Sequence, residues 1–241
     1  MTTNTQAPLT VRRDKEIFET DGGWFHARWH FSFDYYIDPK NTSIGWLRVF
    51  NHDTLRPGAV WPMHPHRDVE GITYVVAGEF EHADTGGGEG VLNPGAVQRL
   101  TLGSGLMHSE MNHSQTEDMQ FIQMWILPSE RNLEPSLEQK QYGEADRHNR
   151  LLQILRPIGT DGEGVTVHQD VRMFVSKLDP DAGVSHQFDE GRGGYFYLID
   201  GEADVNGERL STGDAAKITG GGALDVKAAA TSELLIVDTP L

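Results

Sequence analysis

The chain of 241 residues contains no cysteine. Disulfides, thiolate metal ligands and cysteine nucleophiles are therefore excluded. It has no basic run either: the densest basic spot is Arg12-Arg13, in a chain with a formal net charge of -16. That balance excludes a nucleic-acid backbone or an anionic membrane surface as a direct partner. No stretch approaches the roughly 20 apolar residues of a membrane span. Met1 to Arg13 is polar, without the apolar segment of a secretory signal, so a cytoplasmic location is expected. Neither a Gly-x-x-x-x-Gly-Lys loop nor a strand-linked Gly-x-Gly-x-x-Gly occurs, so nucleotide binding has no motif. Ser109 lacks the strained elbow of a nucleophilic serine.

What is present is a globular balance, 37% apolar and 23% charged, with 27 glycines. Many turns between short apolar runs point to an all-β chain. Gly45–Phe50, Gly71–Val76 and Met119–Leu127 read as strands, the second turning at Ala77-Gly78 and the third closed by Pro128. Asn206-Gly207 is a two-residue hairpin turn, because both positions tolerate positive φ. Glu130–Leu152 is polar and reads as a linker with a short helical turn.

An internal repeat sets the domain organisation. Tyr74-Val75-Val76-Ala77-Gly78-Glu79 lines up with Tyr197-Leu198-Ile199-Asp200-Gly201-Glu202 at an offset of 123, and Leu92–Val97 with Leu210–Ala215 at 118. Two β-modules follow: 1–130, a linker at 131–165, and 166–241.

The chemistry lies in His64-Pro65-His66 and His108-Ser109-Glu110. In an extended chain residues i and i+2 share a face, so each segment aims two metal-competent side chains at one point. Together they offer three nitrogens and one carboxylate, a set suited to Fe, Mn, Co, Ni, Cu or Zn rather than Ca or Mg. Spacing alone leaves Glu70 or His113 as substitutes for Glu110. Carried through the repeat offsets, the four positions fall on Gln187, Asp189, Val226 and Ala228, so the second module lacks the set and one metal per chain is expected. Phe50, Trp61, Met63 and Met107 are candidates for an apolar wall.

These segments resemble the pirin family of the cupin superfamily, especially its bacterial bicupins. The residues that carry the resemblance are His64-Pro65-His66-Arg67-Asp68-Val69-Glu70, Asn93-Pro94-Gly95 and Gly103-Ser104-Gly105-Leu106-Met107-His108-Ser109-Glu110. Trp29–Phe33, Gln123–Ile126 and Val167–Asp170 add to it; a Thr common in relatives after the histidine of Trp29-His30 is missing. The resemblance implies two stacked cupin barrels (double-stranded β-helix, jelly-roll-like), with the metal in the first on His64, His66, His108 and Glu110. It implies Fe2+ as the foremost ion. It further implies a metal-dependent dioxygenase, in several relatives a quercetinase, acting on a flavonol-like aromatic and O2 with Glu110 as general base. Eukaryotic members imply an alternative, a metal-binding regulator or redox sensor acting through a protein partner. A monomer is expected.

Overall fold

The computed structural model describes residues 5–241, so Met1–Asn4 of the polar N-terminal segment lie outside it. The chain folds into strands wherever β-branched and aromatic residues dominate between turn residues. Glu70–Ala77 is such a run, and it ends at Gly78, whose φ of 74° and closeness to the Asp118 carbonyl leave no room for a side chain. Asn206 and Gly207 have φ of 50° and 86° and close the hairpin between Glu202–Val205 and Glu208–Ser211, as its sequence requires.

Each module pairs a large sheet with a small one. In the first, the large sheet runs Ser136–Lys140, Val97–Thr101, Glu70–Ala77, Met119–Ile126, Leu47–Leu55, Phe25–Trp29 and Phe18–Asp21. Its small sheet runs Val60–His66, Leu106–Asn112, Phe80–Asp84 and Glu89–Leu92. In the second, the large sheet runs Leu9–Arg12, Ala215–Ile218, Arg192–Asp200, Ser232–Pro240, Arg172–Leu178, Leu152–Pro157 and Val165–Val167. Its small sheet runs Gly183–Phe188, Gly222–Ala228, Glu202–Val205 and Glu208–Ser211. These are two cupin barrels in an all-β chain. Among the described residues no helix is long and apolar enough to cross a membrane.

Strand alternation distributes the apolar residues into separate cores. Phe50, Tyr74, Ile122, Tyr195, Tyr197 and Leu235 belong to a core shared by both modules. Leu55, Val75, Phe80, Met119 and Phe121 fill only part of the first barrel. The second barrel is packed through, by Leu178, Phe188, Phe196, Leu198, Val205, Leu224, Val226, Leu234 and Ile236.

The strand pairings depart from two of the expected module bounds. The stretch 131–165 holds the expected helical turn, Glu144–Arg147, but the rest is not a linker: Ser136–Lys140 edges the first large sheet and Leu152–Pro157 joins the second. Leu9–Arg12 also crosses over, pairing with Ala215–Ile218 of the second module rather than its own.

The repeat register differs too. His64 faces His108 as His186 faces Leu224, and Glu110 faces His82 as Val226 faces Val205. The counterparts of His64, His66, His108 and Glu110 are thus His186, Phe188, Leu224 and Val226, not Gln187, Asp189, Val226 and Ala228. Connecting loops differ in length between the modules, so a constant offset fails beyond each loop. His186 is held by Asp238 at 2.8 Å and ringed by Phe174 and Phe188. The remaining three counterparts are apolar and help fill the barrel.

Candidate metal centre

Val60–His66 and Leu106–Asn112 lie antiparallel in the small sheet of the first barrel. Alternation points His64, His66, His108 and Glu110 inward, and Met63 and Met107 outward, where both are exposed. Nitrogen atoms of His64, His66 and His108 all lie within 4.8 Å of one another. Glu110 stands beside them, with Oε1 3.3 Å from His108 Nδ1. That contact lacks hydrogen-bond geometry, and both ring nitrogens of buried His108 are without a partner among the described residues. Buried polar atoms are seldom left so; a cation among the three rings would satisfy them.

The surroundings leave the imidazoles in a form able to bind a metal ion. His64 Nδ1 donates to the Pro62 carbonyl at 2.8 Å, leaving Nε2 as the lone-pair nitrogen. Burial first, then the neighbouring His64, pushes His66 down to about 4. Burial, then His64, His66 and His82, pushes His108 down to about 3. Both are neutral at pH 7, the form that binds metal. Burial raises Glu110 above the usual carboxylate range, opposed by the Gln123 amide, which donates to Oε1 at 2.9 Å.

The two other candidates lie elsewhere. Glu70 is fully buried and accepts from the Thr101 hydroxyl, the His168 backbone N–H and His168 Nδ1, each at 2.8 Å. It ties the first module to the second. His113 is a surface residue bonded to Glu81 at 2.7 Å.

In front of the histidines opens a cavity of about 530 Å³, within the roughly 300–1,000 Å³ range of small-molecule sites. Of the expected wall, only Trp61 lines it. Phe50 faces the inter-module core instead, because its neighbours Asn51 and Asp53 take the inward positions. The wall comes from elsewhere: Trp24, Phe25 and Trp29, the loop residues Phe33 and Tyr35, and Trp125. Trp24, Phe25 and Trp61 interlock with ring centroids 4.5–4.8 Å apart. Trp125 meets the His66 ring edge-on at 4.7 Å. The aromatic density of Trp24–Phe33 was the available sequence signal. His82, opposite Glu110 and bonded to Asp84 at 2.9 Å, is a further buried imidazole behind His108.

Comparison with known proteins fits this geometry. The sequence profile described as Pirin matches residues 11–126, and that of the quercetinase C-terminal cupin domain matches 153–239. The chain is 34% identical over 233 residues to a protein named quercetin 2,3-dioxygenase from Escherichia coli K12, covering 96% of this chain and 99% of that one. The chain belongs to the pirin family. A pirin-like protein of Caulobacter vibrioides is 34% identical over 218 residues, covering 90% and 94%. The crystal structure of the bacterial pirin YhhW from Escherichia coli in complex with nickel(II) superposes with a TM-score of 0.89 at 32% identity, covering 97% of this chain and 99% of that one. The nickel of that one relative and the grouped His64, His66 and His108 of this chain both support a divalent-metal site in a pirin-type cupin.

Proposed function

We propose that the protein is a metal-dependent dioxygenase of the quercetin 2,3-dioxygenase type, with His64, His66, His108 and Glu110 holding one divalent ion, Fe2+ as the resident one. The observation that carries this reading is the unpartnered His108, grouped with His64 and His66, which line an aromatic cavity. The names of the relatives support the same class of reaction.

A divalent ion on these donors would supply Lewis acidity and a template for a flavonol's 3-hydroxyl oxygen. The protein's own groups do the rest. Glu110, raised by burial, accepts the hydroxyl proton, and Gln123 steadies the carboxylate by donating to Oε1. Trp61, Trp125 and Phe25 sandwich the planar substrate and exclude water. The net reaction consumes one O2, opens the central ring and releases one CO, with both oxygen atoms of O2 in the products.

Metal-loaded protein is incubated with quercetin in air while the visible absorbance and released CO are followed. Bleaching with CO release, lost in His64→Ala, is the expected result. No bleaching with any of Fe, Mn, Co, Ni or Cu contradicts the activity.

A further inference from the structure

Asn51 and Asp53 alternate with Phe50 and His52 along Leu47–Leu55 and so point into the first barrel. Both are more than nine-tenths buried and both line the cavity in front of the histidines. The Oδ1 atom of each is without a hydrogen-bond partner among the described residues. Their neighbours across the large sheet, Gln123 and Phe121, leave them so: the Gln123 amide is committed to Glu110 and Phe121 is apolar. Two orphaned acceptors in a largely aromatic pocket destabilise the free protein, and such a cost is kept where a ligand relieves it.

We propose that Asn51 and Asp53 form a hydroxyl-recognising subsite, separate from the metal ligands, that selects aromatic ligands carrying a second hydroxyl besides the metal-seeking one. This deepens the dioxygenase reading and rests on it. A phenolic O–H donates to the Asp53 or Asn51 oxygen, whereas a ligand with a single hydroxyl leaves both acceptors buried and unpaired. Sites built to hydrogen-bond a substrate hydroxyl reject analogues lacking it strongly.

The test is calorimetric titration of the nickel-loaded protein under nitrogen, so that no ring is opened, with quercetin and with 3-hydroxyflavone. The wild type is expected to prefer quercetin by about tenfold or more. In Asn51→Leu/Asp53→Leu the preference falls to near unity while the melting temperature of the ligand-free protein rises. Asp53→Asn, which keeps an acceptor and the side-chain shape, retains most of the preference and covers the case in which the double variant does not fold. An undiminished preference in folded Asn51→Leu/Asp53→Leu, with 3-hydroxyflavone still bound, overturns the subsite but leaves the dioxygenase reading standing. Failure of the wild type to bind either flavonol overturns both.

Discussion

His64 lies directly opposite His108 across an antiparallel pair, and the register slips immediately beyond, so that Glu110 stands opposite Trp61. The extra residue falls in the Pro62-Met63 segment. Proline has no N–H to lose at such a bulge, and the Pro62 carbonyl is left to accept from His64 Nδ1. One local irregularity thus orients a ligand candidate and brings Trp61 beside the carboxylate.

This geometry predicts a trade of stability against metal binding at His108. The second module carries Leu224 at the matching place. His108→Leu should cut bound metal at least tenfold, measured by elemental analysis after dialysis. It should also stabilise the metal-free protein by about 1–2 kcal/mol, because two orphaned ring nitrogens are removed from the interior. Thermal unfolding of both apo-proteins checks this.

At Glu70 the expectation is the reverse. Glu70→Ala strips the partners from a buried hydroxyl, a backbone N–H and an imidazole. It should destabilise the fold by about 3 kcal/mol while metal content stays near one per chain. Loss of metal at unchanged stability would return Glu70 to the ligand set.

Acid should loosen the seam between the modules. His52, bonded to Tyr197 at 2.7 Å, is pushed down from 6.5 to about 4 by burial and then by Arg28. His30, fully buried beside Tyr195, lies well below 6.5, for burial and then Arg12. Between these values the unfolded chain binds protons that the fold does not. The stabilisation at His52 is therefore complete above about pH 6.5 and is lost as pH falls towards 4, with a slope of up to about 1.4 kcal/mol per pH unit, and His30 acts in the same direction. Urea unfolding of apo-protein across that range should show a shallower slope for His52→Gln; identical slopes would contradict it.

Gln123 tunes the carboxylate. Without its donated hydrogen bond, Glu110 keeps only the opposing influences of His64 and His82 against burial. In Gln123→Leu the Glu110 carboxyl rises further, so protons compete with metal at higher pH. The pH at which half the metal is retained should shift upward by several tenths of a unit or more.

The histidine pairs were legible in the sequence because alternation in a strand is strictly local: His64 with His66 and His108 with Glu110 need only period two. The barrels were legible through the Gly78 and Gly201 turns of the repeat. The cavity wall was not. Met63 and Met107 are close in sequence to the ligand candidates but take outward positions, while Trp29 and Trp125 arrive from strands of the opposite sheet and Trp24 from the bend before Phe25–Trp29. Nor did the boundary show itself. Ser136–Lys140 is a polar edge strand without alternation, and the pairing of Leu9–Arg12 with the far module depends on contacts no local pattern encodes.

The proposed site holds one divalent metal in the first barrel, on His64, His66, His108 and Glu110. Anomalous diffraction from crystals of the metal-loaded protein, at the metal's absorption edge, tests it directly. A single strong peak per chain is expected, about 2.0–2.2 Å from a nitrogen of each histidine and an oxygen of Glu110, and none near His186. A peak held by other side chains, or equal peaks in both barrels, would contradict it.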